Sequence, residues 1–319
     1  MDILPIFVEQ KEISDLRRGS AFVVLSLTDN FERILSGIPG LSPRSKKTYI
    51  ANVKHFIHYI QLNGVQAHTF ADFRNELDSL DKSIKTKNAY LTSAKALLRE
   101  ALKYRILPID ITANVPGFKE QRGHKKDGLN MNEVQKVSEA ISEIKSAKRR
   151  ARLQAMFTLF AQEAFRQIEV CRLELQDFNA KDGFILVLGK GRQEKEKHYL
   201  MPSTIQAIQK HIELSGIASG YIFAGHNGKQ MTTRAIQKAF TDKKNGIFSK
   251  AGIDQKTVHG FRHFNITRTL EVTGGNVTKT AQRARLRTIE TVTVYNDARL
   301  SKATVSELSG TFWGVAEMN

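Results

Sequence analysis

The chain has 319 residues, of which 41% are hydrophobic and 25% are charged. This balance is ordinary for a folded protein and excludes collagen-like, low-complexity and disordered classes. No apolar run approaches the roughly 18 residues that a membrane helix needs, and acidic Asp2 and Glu9 come before the first Lys, unlike in a secretory signal peptide. Because the chain has one cysteine, Cys171, it fits a reducing compartment. We therefore expect a soluble, cytoplasmic protein of about two domains.

The charge is strongly positive, since 49 Lys and Arg against 32 Asp and Glu give a formal net charge of +17. Residues 1–20 carry a net −1, residues 21–130 carry +7 and residues 131–319 carry +11. A surplus of this size indicates either simple solubility or a polyanionic partner, most often nucleic acid. Its spread over both halves favours two folded bodies that face the polyanion.

Helical spacing of apolar residues predicts four helices in the first half. Ser42 and Ser83 are good N-caps, and Pro43 suits a first helical turn. The predicted helices are Leu25–Ser36, Pro43–Asn63, Phe70–Leu80 and Ser83–Tyr104.

Basic residues crowd the start of the second and the fourth of these helices. Cations are unfavourable at a helix N-terminus, so each cluster is either a site for an external anion or a solvated helix end. These residues are Arg44, Lys46, Lys47, Lys82, Lys85 and Lys87.

Helical periodicity is lost after Pro116. The stretch up to Leu129 contains Gly117 and Gly123 and a further basic cluster with Lys125 and Lys126. This composition predicts an extended basic linker between two domains.

The second half predicts further helices around a small sheet. The apolar run Phe184–Leu188 predicts a strand, and Lys197–Met201 pairs back with it after the turn at Gly189-Lys190-Gly191. The predicted helices are Asn130–Ile144, Ala147–Glu163, Ser203–Leu214, Thr232–Ala239, Thr257–Thr273, Thr278–Ala284, Thr288–Asn296 and a weak one at Lys302–Trp313.

Three common motifs are excluded. The third glycine of a dinucleotide loop would fall at Glu194, and the turn also fails as a Walker loop. His259 and His263 lack the Glu of a zinc protease, because Gly260 follows His259. Cys171 lies in an apolar helical stretch, which favours a buried thiol over a nucleophile.

One ordered set of residues is more specific than any of its parts. Arg166 lies in Ala-Phe-Arg-Gln-Ile-Glu, Lys190 in the hairpin turn, His259 and Arg262 in His-Gly-Phe-Arg-His, and Tyr295 at the end of Ile-Glu-Thr-Val-Thr-Val-Tyr. In this order the set resembles the tyrosine recombinases of the phage integrase family. The resemblance covers residues 23–319.

The resemblance implies a mainly α fold with a small antiparallel β-sheet, arranged as a two-domain DNA clamp. It implies a helical, SAM-like core-binding domain and a catalytic domain. The expected parts are an N-terminal extension (1–22), the core-binding domain (23–115), the linker (116–129), the catalytic domain (130–299) and a C-terminal tail that exchanges between protomers (300–319).

The same resemblance implies the roles of five residues. Arg166 and Arg262 resemble the phosphate-clamping arginines, whose paired donors match non-bridging oxygens. Lys190 resembles the general acid, His259 the first active-site histidine, and Tyr295 the nucleophile that forms a 3′-phosphotyrosine. This chemistry needs no metal and no cofactor.

One position departs from the family pattern. Family members usually carry Gly-His, with the His or a Trp nine residues before the nucleophile, where this chain has Arg285-Leu286. Leu286 can pack but cannot donate a hydrogen bond, and a donor would have to come from Arg285 or Arg287. Three hypotheses stay open: a recombinase, a DNA-binding protein of the same fold with reduced or lost catalysis, and a topoisomerase-like or resolvase activity.

The expected partner is double-stranded DNA with paired inverted core sites, in a bacterial or archaeal nucleoid. By resemblance we expect a homotetramer on DNA and no membrane partner. Phe312 and Trp313 would anchor the exchanged tail. The target sequence, an accessory DNA-bending protein and the biological role, whether phage, mobile element or chromosome resolution, stay open.

Overall fold

A computed structural model of the chain describes residues 4–120, 128–189, 191–253, 255–286, 288–289 and 292, and for residues 4–19 it describes the backbone alone. The fold is mainly helical with a small antiparallel sheet, as predicted. It divides into two compact units, Met1–Gln121 and Arg122–Asn319, and the division lies inside the predicted linker. None of the helices in the described ranges is long and apolar enough to cross a membrane.

The first unit is built on four helices. Their bounds are α1 (Leu4–Gly37), α2 (Pro43–Asn63), α3 (Thr69–Ser79) and α4 (Ile84–Lys103). Both predicted N-caps are confirmed, since Ser42 Oγ accepts from the Ser45 amide at 3.1 Å and Ser83 Oγ from the Thr86 amide at 3.2 Å. The apolar faces of the four helices meet in one buried core centred on Phe56.

Helix α1 differs most from the prediction. It begins at Leu4, so the predicted start at Leu25 and the separate extension of residues 1–22 were wrong. A proline in a first turn is tolerated, and a single interior glycine costs only about 1 kcal/mol, so Pro5 and Gly19 did not stop the helix. Ser20 Oγ accepts from the Val65 amide at 3.0 Å, which ties the helix to the loop after α2.

The first residues of the predicted linker pack on the first unit. The Asn88 side chain on α4 accepts from the Phe118 amide at 2.8 Å and donates to the Phe118 carbonyl at 3.0 Å. The Arg74 guanidinium lies 4.5 Å from the centre of the Phe118 ring. Residues 116–120 therefore belong to the folded unit, which corrects the predicted linker start at residue 116.

The second unit carries eight of the described helices and a three-stranded sheet. The helices are α5 (Met131–Ser142), α6 (Ala147–Ala161), α7 (Gln167–Cys171), α8 (Pro202–Ser215), α9 (Thr233–Thr241), α10 (Ile247–Lys250), α11 (His259–Val272) and α12 (Val277–Arg283). The strands are β1 (Phe178–Asn179), β2 (Phe184–Leu188) and β3 (Lys195–Tyr199), in the order β1-β2-β3.

The predicted hairpin is present with a shifted second strand. Strand β2 has its predicted bounds, but β3 lies two residues earlier than predicted because Leu188 pairs with Lys195. Strand β1 and helix α10 were not predicted, since elements of two and four residues carry too little periodicity. The predicted helices Thr288–Asn296 and Lys302–Trp313 lie wholly or mostly outside the described residues.

Helices α6 and α11 form the centre of the second unit. Phe160 on α6 and Phe261 on α11 are fully buried, with ring centres 6.3 Å apart. The buried Asn265 amide on α11 donates to the carbonyls of Ala161 (2.9 Å) and Gln162 (2.8 Å), which end α6. This contact sets α11 against the loop that follows α6.

We predict that Asn265→Ala lowers the free energy of unfolding by about 1–3 kcal/mol, because two buried carbonyls lose their donor. Urea unfolding of the full chain measures the change. The exposed Gln135→Ala on α5 is the control and should stay within about 0.5 kcal/mol of wild type. Equal losses in the two variants would contradict the role assigned to Asn265.

Candidate active site

Arg166 caps the short helix α7 and is held by Glu169, one turn further along. Its guanidinium Nη1 donates to Glu169 Oε1 at 2.8 Å, and its amide donates to Oε2 at 2.8 Å. Glu169 is buried, whereas the Arg166 side chain keeps 27% of its exposure. Burial alone would raise the pKa of Glu169, but Arg285 and Arg166 outweigh it and hold that pKa below its ordinary value of 4.5.

Arg262 reaches the same loop from helix α11. The side chain is buried, and its two terminal nitrogens donate to the carbonyls of Ala164 and Ala284. Ala164 has a left-handed φ of +54° and lies two residues before Arg166. Arg262 therefore joins the loop that carries Arg166 to the end of α12.

His259 lies at the start of α11 and is exposed. Its ring contacts the His263 ring edge-to-face, with centres 4.6 Å apart. The two positions are four residues apart and share a helix face. The ring of His263 accordingly packs directly against that of His259.

The hairpin that carries Lys190 is fixed at the start of its second strand. Lys195, the first residue of β3, donates to Asp177 Oδ1 at 2.7 Å and to Glu174 Oε2 at 3.1 Å. These bonds raise the pKa of Lys195, with Asp177 as the largest cause. Lys190 itself lies outside the described residues. The structure therefore shows where the turn starts and leaves the role of Lys190 a prediction.

Two described residues near Tyr295 in sequence, Leu286 and Val292, lie at a small apolar cluster that includes residues of α11 and α12. Val292 is fully buried there, and Leu286 packs against the cluster. Leu286 thus has the packing contact that its sequence predicts. Tyr295 lies outside the described residues, so its role as nucleophile remains a prediction.

A buried ionic network lies directly behind Arg166. Glu163 Oε2 contacts His198 Nε2 at 3.1 Å and accepts from Arg283. The Arg285 guanidinium donates from Nη2 to Glu169 Oε2 at 3.0 Å and from Nη1 to His198 Nδ1 at 3.0 Å. It also lies 4.2 Å from the centre of the Phe165 ring.

Sequence reasoning missed Glu163, Glu169, His198 and Arg283 as parts of the site. Two signals were available. Glu169 stands three residues after Arg166, which is the spacing of a capping box, and Glu163 is a carboxylate in an otherwise apolar stretch. Arg285 was considered as a phosphate donor, but its guanidinium faces the interior and its side chain is only 8% exposed.

The bonding around His198 fits one tautomer. Arg285 Nη1 lies 3.0 Å from Nδ1 and 3.3 Å from Nε2, and Nε2 lies 3.1 Å from Glu163 Oε2. We assign the proton to Nε2, because this tautomer lets Nδ1 accept from the nearer Arg285 contact and lets Nε2 donate to Glu163. Burial lowers the pKa of His198 below 6.5, and the nearby Arg285 and Arg283 cations lower it further, against the effect of Glu163. His198 is therefore neutral at pH 7.

The described candidates for DNA contact differ in exposure. Arg44, Lys47, Lys82 and Lys85 are exposed, and Lys46 is half-buried and donates to the Ser36 carbonyl. Lys87 is buried and donates to the Asp78 carbonyl at 2.7 Å. This removes Lys87 from the candidate surface, because its ammonium is already bound inside the first unit. Lys125 and Lys126 lie outside the described residues.

The Cys171 thiol in the second unit is buried. Burial raises the pKa of the Cys171 thiol to about 11, so the thiol is protonated at neutral pH. Among the residues the structure describes, no three His, Cys, Asp or Glu side chains are grouped to hold a metal ion.

Comparison with known proteins identifies relatives of this arrangement. The sequence model of the phage integrase family matches residues 129–301. The chain is 22% identical over 259 residues to tyrosine recombinase XerD of Listeria monocytogenes serotype 4b (strain F2365), which covers 77% of this chain and 85% of that protein.

Two solved structures share the fold. XerH site-specific recombinase bound to palindromic difH substrate, in a post-cleavage complex, matches with a TM-score of 0.68 and 19% identity over 90% of this chain and 85% of that one. A lambda integrase tetramer bound to a Holliday junction matches with a TM-score of 0.64 and 15% identity over 87% and 78% of the two chains.

We predict that acid weakens the second unit through His198. The folded pKa of His198 lies below 6.5, so the unfolded state takes up the proton first as the pH falls below 6.5. Stability is then lost at up to about 1.4 kcal/mol per pH unit. His198→Gln should remove this part of the slope in urea unfolding at pH 7.5 to 5.

The carboxylates provide an internal control for this experiment. The pKa of Glu163 is lowered from 4.5, because His198 and Arg283 outweigh the opposing effect of burial. The stability that the Glu163 carboxylate contributes is thus lost only below pH 4.5. Identical slopes for wild type and His198→Gln between pH 6.5 and 5 would rule out the proposed protonation.

Proposed function

Because the chain belongs to the phage integrase family of tyrosine recombinases, we propose that it is a site-specific DNA recombinase that cuts and rejoins duplex DNA. One observation carries the proposal at the level of chemistry: Arg262 binds the carbonyl of Ala164, two residues before Arg166. The Arg262 guanidinium therefore contacts the loop that carries Arg166, which supports a common site for these two arginines that are distant in sequence.

The proposed reaction follows from what a phosphodiester needs. Negative charge grows on the non-bridging oxygens in the transition state, and Arg166 and Arg262 supply paired donors for it. The Tyr295 phenol attacks the phosphorus and forms a 3′-phosphotyrosine, with His259 organising the phenol proton. Lys190 protonates the 5′-oxygen that leaves. The same steps in reverse rejoin the strand, and no external energy source is needed.

The proposal includes an assembly of several protomers on DNA, because strand exchange joins two DNA sites. The lambda integrase relative is a tetramer on a Holliday junction, and we extend this arrangement to the present chain. Four protomers would hold two paired core sites and pass through the same type of junction. The tail of residues 300–319, with Phe312 and Trp313, would link neighbouring protomers.

A second function is favoured by a specific observation. Leu286 packs into the apolar cluster, and the Arg285 guanidinium faces the interior. Neither side chain supplies the hydrogen-bond donor that the family pattern has at this place. A DNA-binding protein of the same fold with reduced or lost cleavage is therefore the alternative function.

The deciding experiment starts from the DNA site. Bound sequences are selected from a randomised duplex library, and the recovered site is rebuilt with a nick beside each candidate phosphate. A covalent protein–DNA band supports the recombinase. Tight, specific binding without such a band on any nicked site would favour the alternative.

We predict that Tyr295→Phe abolishes the covalent band, because the phenol oxygen that forms the bond is gone. DNA affinity should stay within about twofold, since the substitution removes one oxygen atom and no charge. Denaturing gels measure the band, and gel shifts measure the affinity. A covalent band of undiminished intensity in this variant would show that another residue is the nucleophile.

We predict that Lys85→Ala on α4 reduces the slope of log affinity against log salt by about 0.9, the value for one lost phosphate contact. Lys87→Ala is the matched control from the same helix, and its buried ammonium should leave the slope unchanged while stability falls. Gel shifts at several salt concentrations measure the slope. Equal slope changes in both variants would contradict this assignment.

A further inference from the structure

Arg285 occupies an unusual backbone position for a large charged residue. Its φ is +50°, in the left-handed region that favours glycine, and the family pattern expects a glycine here. The side chain is 8% exposed. A strained backbone and a buried cation both cost free energy, so the contacts of the guanidinium must compensate for them.

These contacts join three separate parts of the second unit. Nη2 donates to Glu169 Oε2 at 3.0 Å on helix α7. Nη1 donates to His198 Nδ1 at 3.0 Å on strand β3 and approaches the Glu163 carbonyl at 3.3 Å. The Arg285 backbone itself follows α12 and precedes the segment that leads to Tyr295.

The contact with Glu169 acts on Arg166. Glu169 gives Oε1 to the Arg166 guanidinium, while Oε2 is shared between the Arg166 amide and Arg285. Without Arg285, the carboxylate would either turn towards Arg166 as its remaining cation or take up a proton. In the first case the carboxylate binds Arg166 Nη1 more tightly, and in the second case Arg166 Nη1 loses its charged acceptor and is displaced. Either change reduces the fit of Arg166 to a phosphate.

The contact with His198 acts on the hairpin. Strand β3 pairs with β2 from Leu188↔Lys195 to Phe184↔Tyr199, and the turn with Lys190 lies directly beyond Leu188. Neutral His198 accepts from Arg285 and donates to Glu163, so the hairpin base is tied to the same guanidinium that supports Arg166.

We infer that Arg285 is a positioning residue that sets Arg166 and the base of the Lys190 hairpin in register for DNA cleavage. The inference rests on the recombinase function proposed above. Arg285 touches no DNA in this role, and it acts through Glu169 on one side and through His198 on the other.

The chain offers a matched control for this role in Arg283. Arg283 lies in the same network, where it binds Glu163, the Tyr199 carbonyl at 3.0 Å and the Gln162 carbonyl at 3.1 Å. Its described bonds do not include one to Glu169. Arg283→Met therefore removes the same charge from the same network without removing a support of Arg166.

The test measures the rate of covalent-complex formation on the nicked site with saturating protein. Arg285→Met should slow this rate by about 10²-fold, the order expected for a misplaced catalytic group, with DNA affinity within about twofold of wild type. Arg283→Met should slow the rate clearly less than Arg285→Met, because the described bonds of Arg283 reach Glu163 and the Tyr199 carbonyl and include none to Glu169. Arg285→Lys should recover part of the rate, because an ammonium can satisfy Glu169 but lacks the planar fork for both partners.

Epistasis separates positioning from general destabilisation. In an Arg166→Lys background, Arg285→Met should slow cleavage by clearly less than the about 10²-fold expected in the wild type, because the part of its effect that passes through Arg166 is already lost and only the part through His198 remains. A full further 10²-fold loss in that background would overturn the inference, as would equal slowing by Arg285→Met and Arg283→Met.

The outcomes also separate this inference from the function it rests on. Without a covalent complex of the wild-type protein, the proposed recombinase function fails and the inference fails with it. Cleavage by Arg285→Met at the wild-type rate overturns the inference alone. Thermal unfolding checks each variant, and if Arg285→Met does not fold, Arg285→Lys and Arg285→Gln provide the same comparison.

Discussion

The carboxylate of Glu169 holds two arginines at once, and the geometry of the candidate site depends on it. Arg166 binds one oxygen with its guanidinium, and its amide shares the other oxygen with Arg285. A cation that must meet a phosphate cannot also be neutralised completely by its own protein. Sharing the carboxylate between two arginines leaves the pair with a net positive charge, while the direction of each guanidinium is fixed.

The wider network extends this sharing. Glu163 and Glu169 provide two negative charges, Arg166, Arg283 and Arg285 provide three positive ones, and His198 is neutral. Breaking one partner of a buried pair typically costs about 3–5 kcal/mol, whereas the whole pair contributes little net stability. Such a network therefore selects one arrangement of helix α7, strand β3 and the end of α12 more than it stabilises the fold.

Local signals predicted those parts of the fold that depend on neighbouring residues. Ser42, Ser83 and Asn130 cap their helices with the expected side-chain bonds, and β2 has its predicted bounds because Phe184–Leu188 is bounded by turn residues. The start of α1 was not predicted in this way. Of the described side chains before Leu25, Val23 is buried in the core and Ser20 binds the Val65 amide, and neither contact is visible in the local sequence pattern.

The candidate site also divides into residues that local patterns predicted and residues that they did not. Arg166 and Arg262 could be chosen from ordered motifs, and the structure brings their loop and helix together. The partners of Arg285 could not be chosen, because Glu163, Glu169 and His198 lie up to 122 residues away in sequence, and only the fold brings them to the same guanidinium. The exposure of the lysine side chains could not be predicted either, since Lys85 and Lys87 are two residues apart on one helix and only Lys87 is buried.

The left-handed backbone at Arg285 has a consequence for sequence divergence. A glycine at this position would relieve the backbone and would also leave Glu169 and His198 without their shared donor, so the two effects oppose each other. A lineage could lose the arginine at little cost only if positions 169 and 198 changed with it. Among close relatives of this chain, these three positions should therefore covary as one unit, while Arg283 varies independently of Glu169.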